Sequence, residues 1–129
     1  MAGLRKILHV EDDEDILQIV QLSLESLGGF DVLQCASGAE AIEKAAAFAP
    51  DLILIDFMMP GMNGLVTLQE LRKINSLADV PAIFMSAKNL AIEGDEVLRA
   101  SVIGSIQKPF DAMGLPDKVL KIWQQSGRG

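Results

Sequence analysis

Five apolar runs of strand length alternate with segments of helical period along this chain, and that alternation constrains the fold more than any other feature. The strand candidates are residues 6–10, 30–35, 52–55, 80–85 and 102–106. In the third, Leu52, Ile53, Leu54 and Ile55 are unbroken by a polar residue, as expected for a central parallel strand covered on both faces. The first helical segment carries Ile16, Ile19, Val20, Leu24 and Leu27 on one stripe and stops at Gly28 and Gly29. The second opens with Ser37 and Glu40 at capping-box spacing and ends before Pro50. Leu65, Leu68, Leu71 and Ile74 mark the third, and Val119, Leu120 and Trp123 give the last its buried face. The fourth segment, over 91–100, is interrupted by Gly94 and several charges. Strict alternation with short connections implies an α/β fold: a doubly wound, five-stranded parallel sheet with helices on both faces.

The 129 residues fit one domain, with a core over about 4–124 and a frayed tail over 125–129. Half of them are hydrophobic, enough to bury a sizeable core. The single cysteine, Cys35, rules out an internal disulfide and agrees with a reducing compartment. No apolar run approaches the ~18 residues that span a bilayer, and Met1 to Lys6 lacks the apolar segment of a secretory signal. A cytoplasmic location with no membrane contact is the expectation. The net charge of −7, from 18 acidic and 11 basic side chains, argues against nucleic-acid binding, which relies on Lys and Arg to neutralise phosphates.

In an open parallel sheet, ligands bind outside the carboxyl ends of the strands. Glu11, Asp12 and Asp13 follow the first strand, Asp56 the third, Ser86 the fourth and Lys108 the fifth. Carboxylates this close repel one another and raise each other's pKa unless a cation sits among them. Magnesium prefers hard oxygen ligands and keeps some waters, so two carboxylates and a carbonyl suit it. A carboxylate beside that ion can attack a phosphoryl group, while a lysine and the metal spread the transferring charge and a hydroxyl adds a hydrogen bond.

With these residues in place, the sequence resembles the receiver domain of two-component response regulators from Ile7 to about Trp123. The motifs that carry the resemblance are Ile-Leu-His-Val-Glu-Asp-Asp at 7–13, Asp-Phe-Met-Met-Pro-Gly-Met-Asn-Gly at 56–64, Met-Ser-Ala at 85–87 and Lys-Pro-Phe at 108–110. Each alone is weak; in this order and at these separations they are specific. The resemblance implies a flavodoxin-like fold with strand order 2-1-3-4-5 and a phosphoacceptor switch that takes its phosphoryl group from a phosphohistidine donor. Asp56 would be the acceptor, and Glu11, Asp12, Asp56 and the backbone carbonyl of Met58 would hold Mg2+. Ser86 would be the switch hydroxyl and Lys108 the conserved-type lysine, aimed by a cis bond to Pro109. The implied partners are a sensor histidine kinase or histidine phosphotransfer protein and a downstream protein. Catalysis would be limited to assisting the chain's own phosphorylation and dephosphorylation, so no conventional enzyme activity is expected.

Blander readings hold for several neighbours. Asp13 is expected to sit in the first turn of the first helix, as a cap or as an acid just behind the site, His9 to be a packed core or near-surface histidine and not a ligand or phosphoacceptor, Cys35 a small buried hydrophobe and Trp123 an anchor for the last helix. Two departures stand out. Ser105, preceded by Gly104, occupies the position where most receivers carry an inward-turning Tyr or Phe, which weakens the expected relay to the face formed by the fourth helix, fifth strand and last helix. Asn63 replaces a common Asp. Met58 and Lys88 stand where similar receivers flank the path of the hydrolytic water. A phosphohydrolase with an aspartyl-phosphate intermediate would want an acid two residues after the nucleophile, where Met58 stands. A nucleotide-binding module would want a glycine-rich loop after the first strand, where acids stand instead. An adaptor acting by protein contacts without phosphorylation is the remaining alternative; Ser105 leaves it open.

Overall fold

The computed structural model describes residues 3–87 and 102–128. Strands β1 (Lys6–Val10), β2 (Asp31–Cys35), β3 (Leu52–Asp56), β4 (Ala82–Ser86) and β5 (Val102–Gln107) form one parallel sheet in the order β2-β1-β3-β4-β5. Helices α1 (Glu14–Gln21), α2 (Gly38–Phe48), α3 (Gly64–Arg72) and α4 (Leu115–Trp123) flank it. The expected fourth helical segment, 91–100, and Lys88 lie outside the described residues. No helix among those described is long and apolar enough to cross a membrane.

Alternation along the strands divides the core into two layers. Leu8, Val10, Ile53, Ile55, Ala82 and Phe84 face α2 and α3, where Ala41, Ala45, Leu68 and Leu71 meet them. Ile7, Leu52, Leu54, Ile83, Met85 and Ile106 face the opposite side, against Val20 and Leu24 of the first helix and Leu115, Val119 and Trp123 of α4. Every residue of β3 is buried, in keeping with its unbroken apolar sequence. Cys35 is buried as a small hydrophobe.

Several element ends differ from the sequence expectation by a residue or two, for identifiable reasons. The Phe30 amide bonds Leu24 O at 3.0 Å and so closes the preceding helix instead of opening β2. That helix continues past α1 as a π-type turn, Leu22–Leu27. Val80 belongs to the turn after α3, its amide on Leu77 O. The capping box of α2 is present but offset: Ser37 Oγ accepts from Glu40 N, while Glu40 Oε1 accepts from Ala36 N at 2.7 Å. Past Trp123 the chain continues as a helical turn over Gln124–Arg128 that is broken at Gly127, with Ser126 Oγ donating to Trp123 O at 2.5 Å.

Candidate functional site

The strand order reverses between β1 and β3, and a crevice opens at such a point because the flanking connections depart to opposite faces. Glu11 and Asp12 leave β1 there and Asp56 ends β3 there. One carboxylate oxygen from each of the three lies within 4.8 Å of the others. Glu11 and Asp56 are buried, at 1% and 5% exposure, while Asp12 reaches solvent. Lys108, from the end of β5, extends its Nζ to 2.9 Å from Glu11 Oε1 and 3.2 Å from Asp56 Oδ1. Ser86, at the end of β4, is buried at the same edge, and its carbonyl accepts from Lys108 N at 2.6 Å. The Lys108–Pro109 bond is cis.

The electrostatics follow from burial with one cation among three acids. Burial pushes the Glu11 carboxyl up to about 7; the Lys108 hydrogen bond opposes this and the Asp56 charge adds to it. Burial also works against the Lys108 charge, but Glu11 and Asp56 outweigh it, so the lysine pKa is raised. The Asp13 carboxylate caps α1, its Oδ1 accepting from Asp15 N and Ile16 N at 2.9 and 3.3 Å, while its backbone amide donates to Glu11 Oε2 at 3.3 Å. His9 is wholly buried and neutral, its pKa held at about 3 by burial and the Lys108 charge. It is a core residue, as its apolar flanks imply.

The loop after Asp56 is tied down at both ends. Phe57 N donates to Met85 O at 2.8 Å, and Gly64 N donates to Phe57 O at 2.9 Å. Met58 follows Phe57 and is 69% exposed. Asn63 caps α3, Oδ1 accepting from Val66 N at 2.9 Å; an Asp could do the same, so this departure leaves the cap intact. Gly64 has a role that sequence reasoning missed. A Cβ there would collide with the backbone oxygen of Asp56 and lie 2.9 Å from Phe57 Cα, so only glycine lets α3 start against the strand end that presents Asp56. The signal was its place in the 56–64 motif, but the close approach is a tertiary fact.

Three hard carboxylate oxygens converging beside a lysine fit a divalent cation such as Mg2+, because they are the donors it prefers and their mutual repulsion is what a cation relieves. Ser105 lies on β5 opposite Phe84, partly buried, and Ile122 of α4 packs over Gly104.

A family model described as "Response regulator receiver domain" matches residues 7–120. The chain is 36% identical over 115 residues to Chemotaxis protein CheY1 of Helicobacter pylori, covering 88% of this chain and 93% of that protein. It is 35% identical over 115 residues to the Uncharacterized transcriptional regulatory protein YrkP of Bacillus subtilis, covering 89% of this chain and 48% of that one. It thus spans about half the length of several transcriptional regulators that it matches. Among solved structures, the chemotaxis response regulator CheY4 of Vibrio cholerae superposes with a TM-score of 0.82 at 26% identity, over 93% of this chain and 99% of that one. The receiver domain of Francisella response regulator 1452 gives 0.77 at 30% identity, over 95% and 98%.

Proposed function

Because the chain belongs to the response regulator receiver family, we propose that it is a phosphoacceptor switch in which Asp56 takes a phosphoryl group from a phosphohistidine protein and thereby alters a partner-binding surface. The observation that carries this reading is the Asp56 carboxylate, held at the sheet switch point with Lys108 at 3.2 Å and two further acids within 4.8 Å. An Asp56 oxygen attacks phosphorus as the bond from phosphorus to the donor imidazole nitrogen breaks, and the electron pair leaves with that nitrogen. Lys108 Nζ stands where it can follow charge from the carboxylate onto the phosphoryl oxygens. Ser86, at the same edge, is the hydroxyl suited to hydrogen-bond those oxygens once they are in place. Glu11, Asp12, Asp56 and the Met58 carbonyl would hold Mg2+, which when bound offsets the negative charge of acids and phosphoryl group together.

An apolar groove of about 420 Å³ opens beside Lys108, lined by Ile16 and Ile19 of α1 and by Ala87, Pro109, Phe110 and Ala112. It offers the donor protein, a histidine kinase or phosphotransfer protein, a surface next to the acceptor. Its catalysis is limited to assisting its own phosphoryl transfer and dephosphorylation.

The test is incubation with Mg2+ and a small phosphodonor such as acetyl phosphate, followed by intact mass measurement. The parent should gain one acid-stable, base-labile phosphoryl group and Asp56→Asn none. Equal labelling of both would move the acceptor elsewhere. An unlabelled parent would favour the adaptor that works by protein contacts alone.

A further inference from the structure

Beneath the acidic cluster lies a polar tie that the phosphorylation chemistry does not use. His9 on β1 and Gln34 on β2 are register partners, and Gln34 Nε2 lies 3.1 Å from His9 Nδ1 and 2.7 Å from Leu17 O of α1. Leu17 O can only accept, so the Gln34 nitrogen faces both groups and donates one hydrogen to each. His9 Nδ1 is therefore the acceptor, and the proton of its neutral ring sits on Nε2, which has no hydrogen-bond partner among the described residues. A polar ring placed in this core layer, with one nitrogen unpartnered, costs stability. Packing alone would be better served by an apolar side chain.

The tie closes a loop around the residues that carry the acids. His9 holds the strand end two residues before Glu11. Leu17 holds the first turn of α1, its own amide bonded to Asp13 O at 2.9 Å. Gln34 joins the two from the neighbouring strand, whose next carbonyl, Cys35 O, also accepts from Glu11 N at 3.0 Å. Between these anchors, Glu11 and Asp12 converge with Asp56 to within 4.8 Å, an arrangement that carboxylate repulsion works to splay.

We infer that His9 and Gln34 are positioning residues for the acidic site, holding the turn at 11–13 so that Glu11 and Asp12 stay converged on Asp56 before a cation arrives. This rests on the reading of those acids as a magnesium site. Groups behind metal ligands set affinity by fixing where the ligands stand, and here the fixing runs through backbone.

The experiment measures Mg2+ affinity by calorimetric titration for the parent, His9→Val, Gln34→Leu and the double variant, with melting temperatures alongside. The double variant removes both polar partners in favour of apolar groups, so it is the one that keeps its fold if either single change does not. With a melting temperature at or above that of the parent, it should still bind Mg2+ on the order of ten-fold more weakly. Because His9 is the only histidine, the imidazole nitrogen resonances of the parent report its tautomer without ambiguity, and Nε2–H is the form expected. A folded double variant that binds Mg2+ as tightly as the parent would overturn the inference, as would an Nδ1–H tautomer. A parent that binds no Mg2+ would overturn the metal-site reading itself, and the positioning role with it.

Discussion

Replacing Glu11 with Gln should stabilise the metal-free protein in a strongly pH-dependent way. Burial holds the Glu11 carboxyl at about 7 in the folded chain against an ordinary value of 4.5. Folding therefore favours the protonated form. Below the unfolded pKa the group carries no penalty; as pH rises towards 7 the unfolded chain releases its proton first and stability is lost, and above 7 the loss is complete. A difference of about 2.5 pKa units at ~1.4 kcal/mol each sets the loss at roughly 3–4 kcal/mol. Side-chain exposure of 1% means that solvent screening does little to reduce it. Gln keeps the shape of the protonated acid and cannot ionise, so the stability difference between variant and parent isolates this one group. Urea denaturation in the presence of a chelator should show that difference growing in favour of Glu11→Gln by about 2–3 kcal/mol between about pH 5 and about pH 8. Saturating Mg2+ should reverse the order at the higher pH, because only the parent retains the full set of carboxylates to bind it. A difference that stays flat across that range without metal would refute the reasoning, since the Glu11–Lys108 pair would then fully offset the burial.

Lys108→Ala should spare Mg2+ binding but remove the amide-shift response to beryllofluoride, a phosphoryl mimic, since no cation then tracks the charge arriving at Asp56; an unaltered response would count against Lys108 as the coupling group. Gly64→Ala should cost about 1–3 kcal/mol in urea denaturation and slow phosphorylation, because the added Cβ drives α3 off the Asp56 backbone; a neutral outcome would mean that the α3 start is not fixed. Met58, exposed beside Asp56 and unable to orient water, should leave self-dephosphorylation slow, and Met58→Asn should speed the loss of phosphate measured by mass. With beryllofluoride and Mg2+, amide shifts should be large at 56–64 and at Lys108 and small at 103–106, because Ser105 supplies no ring to move; equal shifts along β5 would show that a relay works without one.

The sequence by itself determined the sheet, its helices and the edge where chemistry collects. Strand-length apolar runs joined by helical crossovers admit only a parallel sheet, and a parallel sheet sends every strand end to one side, so Asp56, Ser86 and Lys108 had to assemble there. The motifs were legible for the same reason: each sits at a strand end, where local sequence and position in the fold coincide. Sequence could not say how each acid is buried or paired, because that depends on orientation across elements. Glu11 and Asp12 are neighbours whose carboxylates converge, yet the first is buried against Lys108 and the second reaches solvent. Lys108 reaches Glu11 across 97 residues of chain, and no spacing rule predicts its preference at 2.9 Å over Asp56 at 3.2 Å. The pairing of His9 with Gln34 is set by the register of β1 and β2, and the need for glycine at 64 by how closely α3 docks on β3. Register and docking are settled by side chains packing between elements distant in sequence, and so these were decided by the tertiary structure alone.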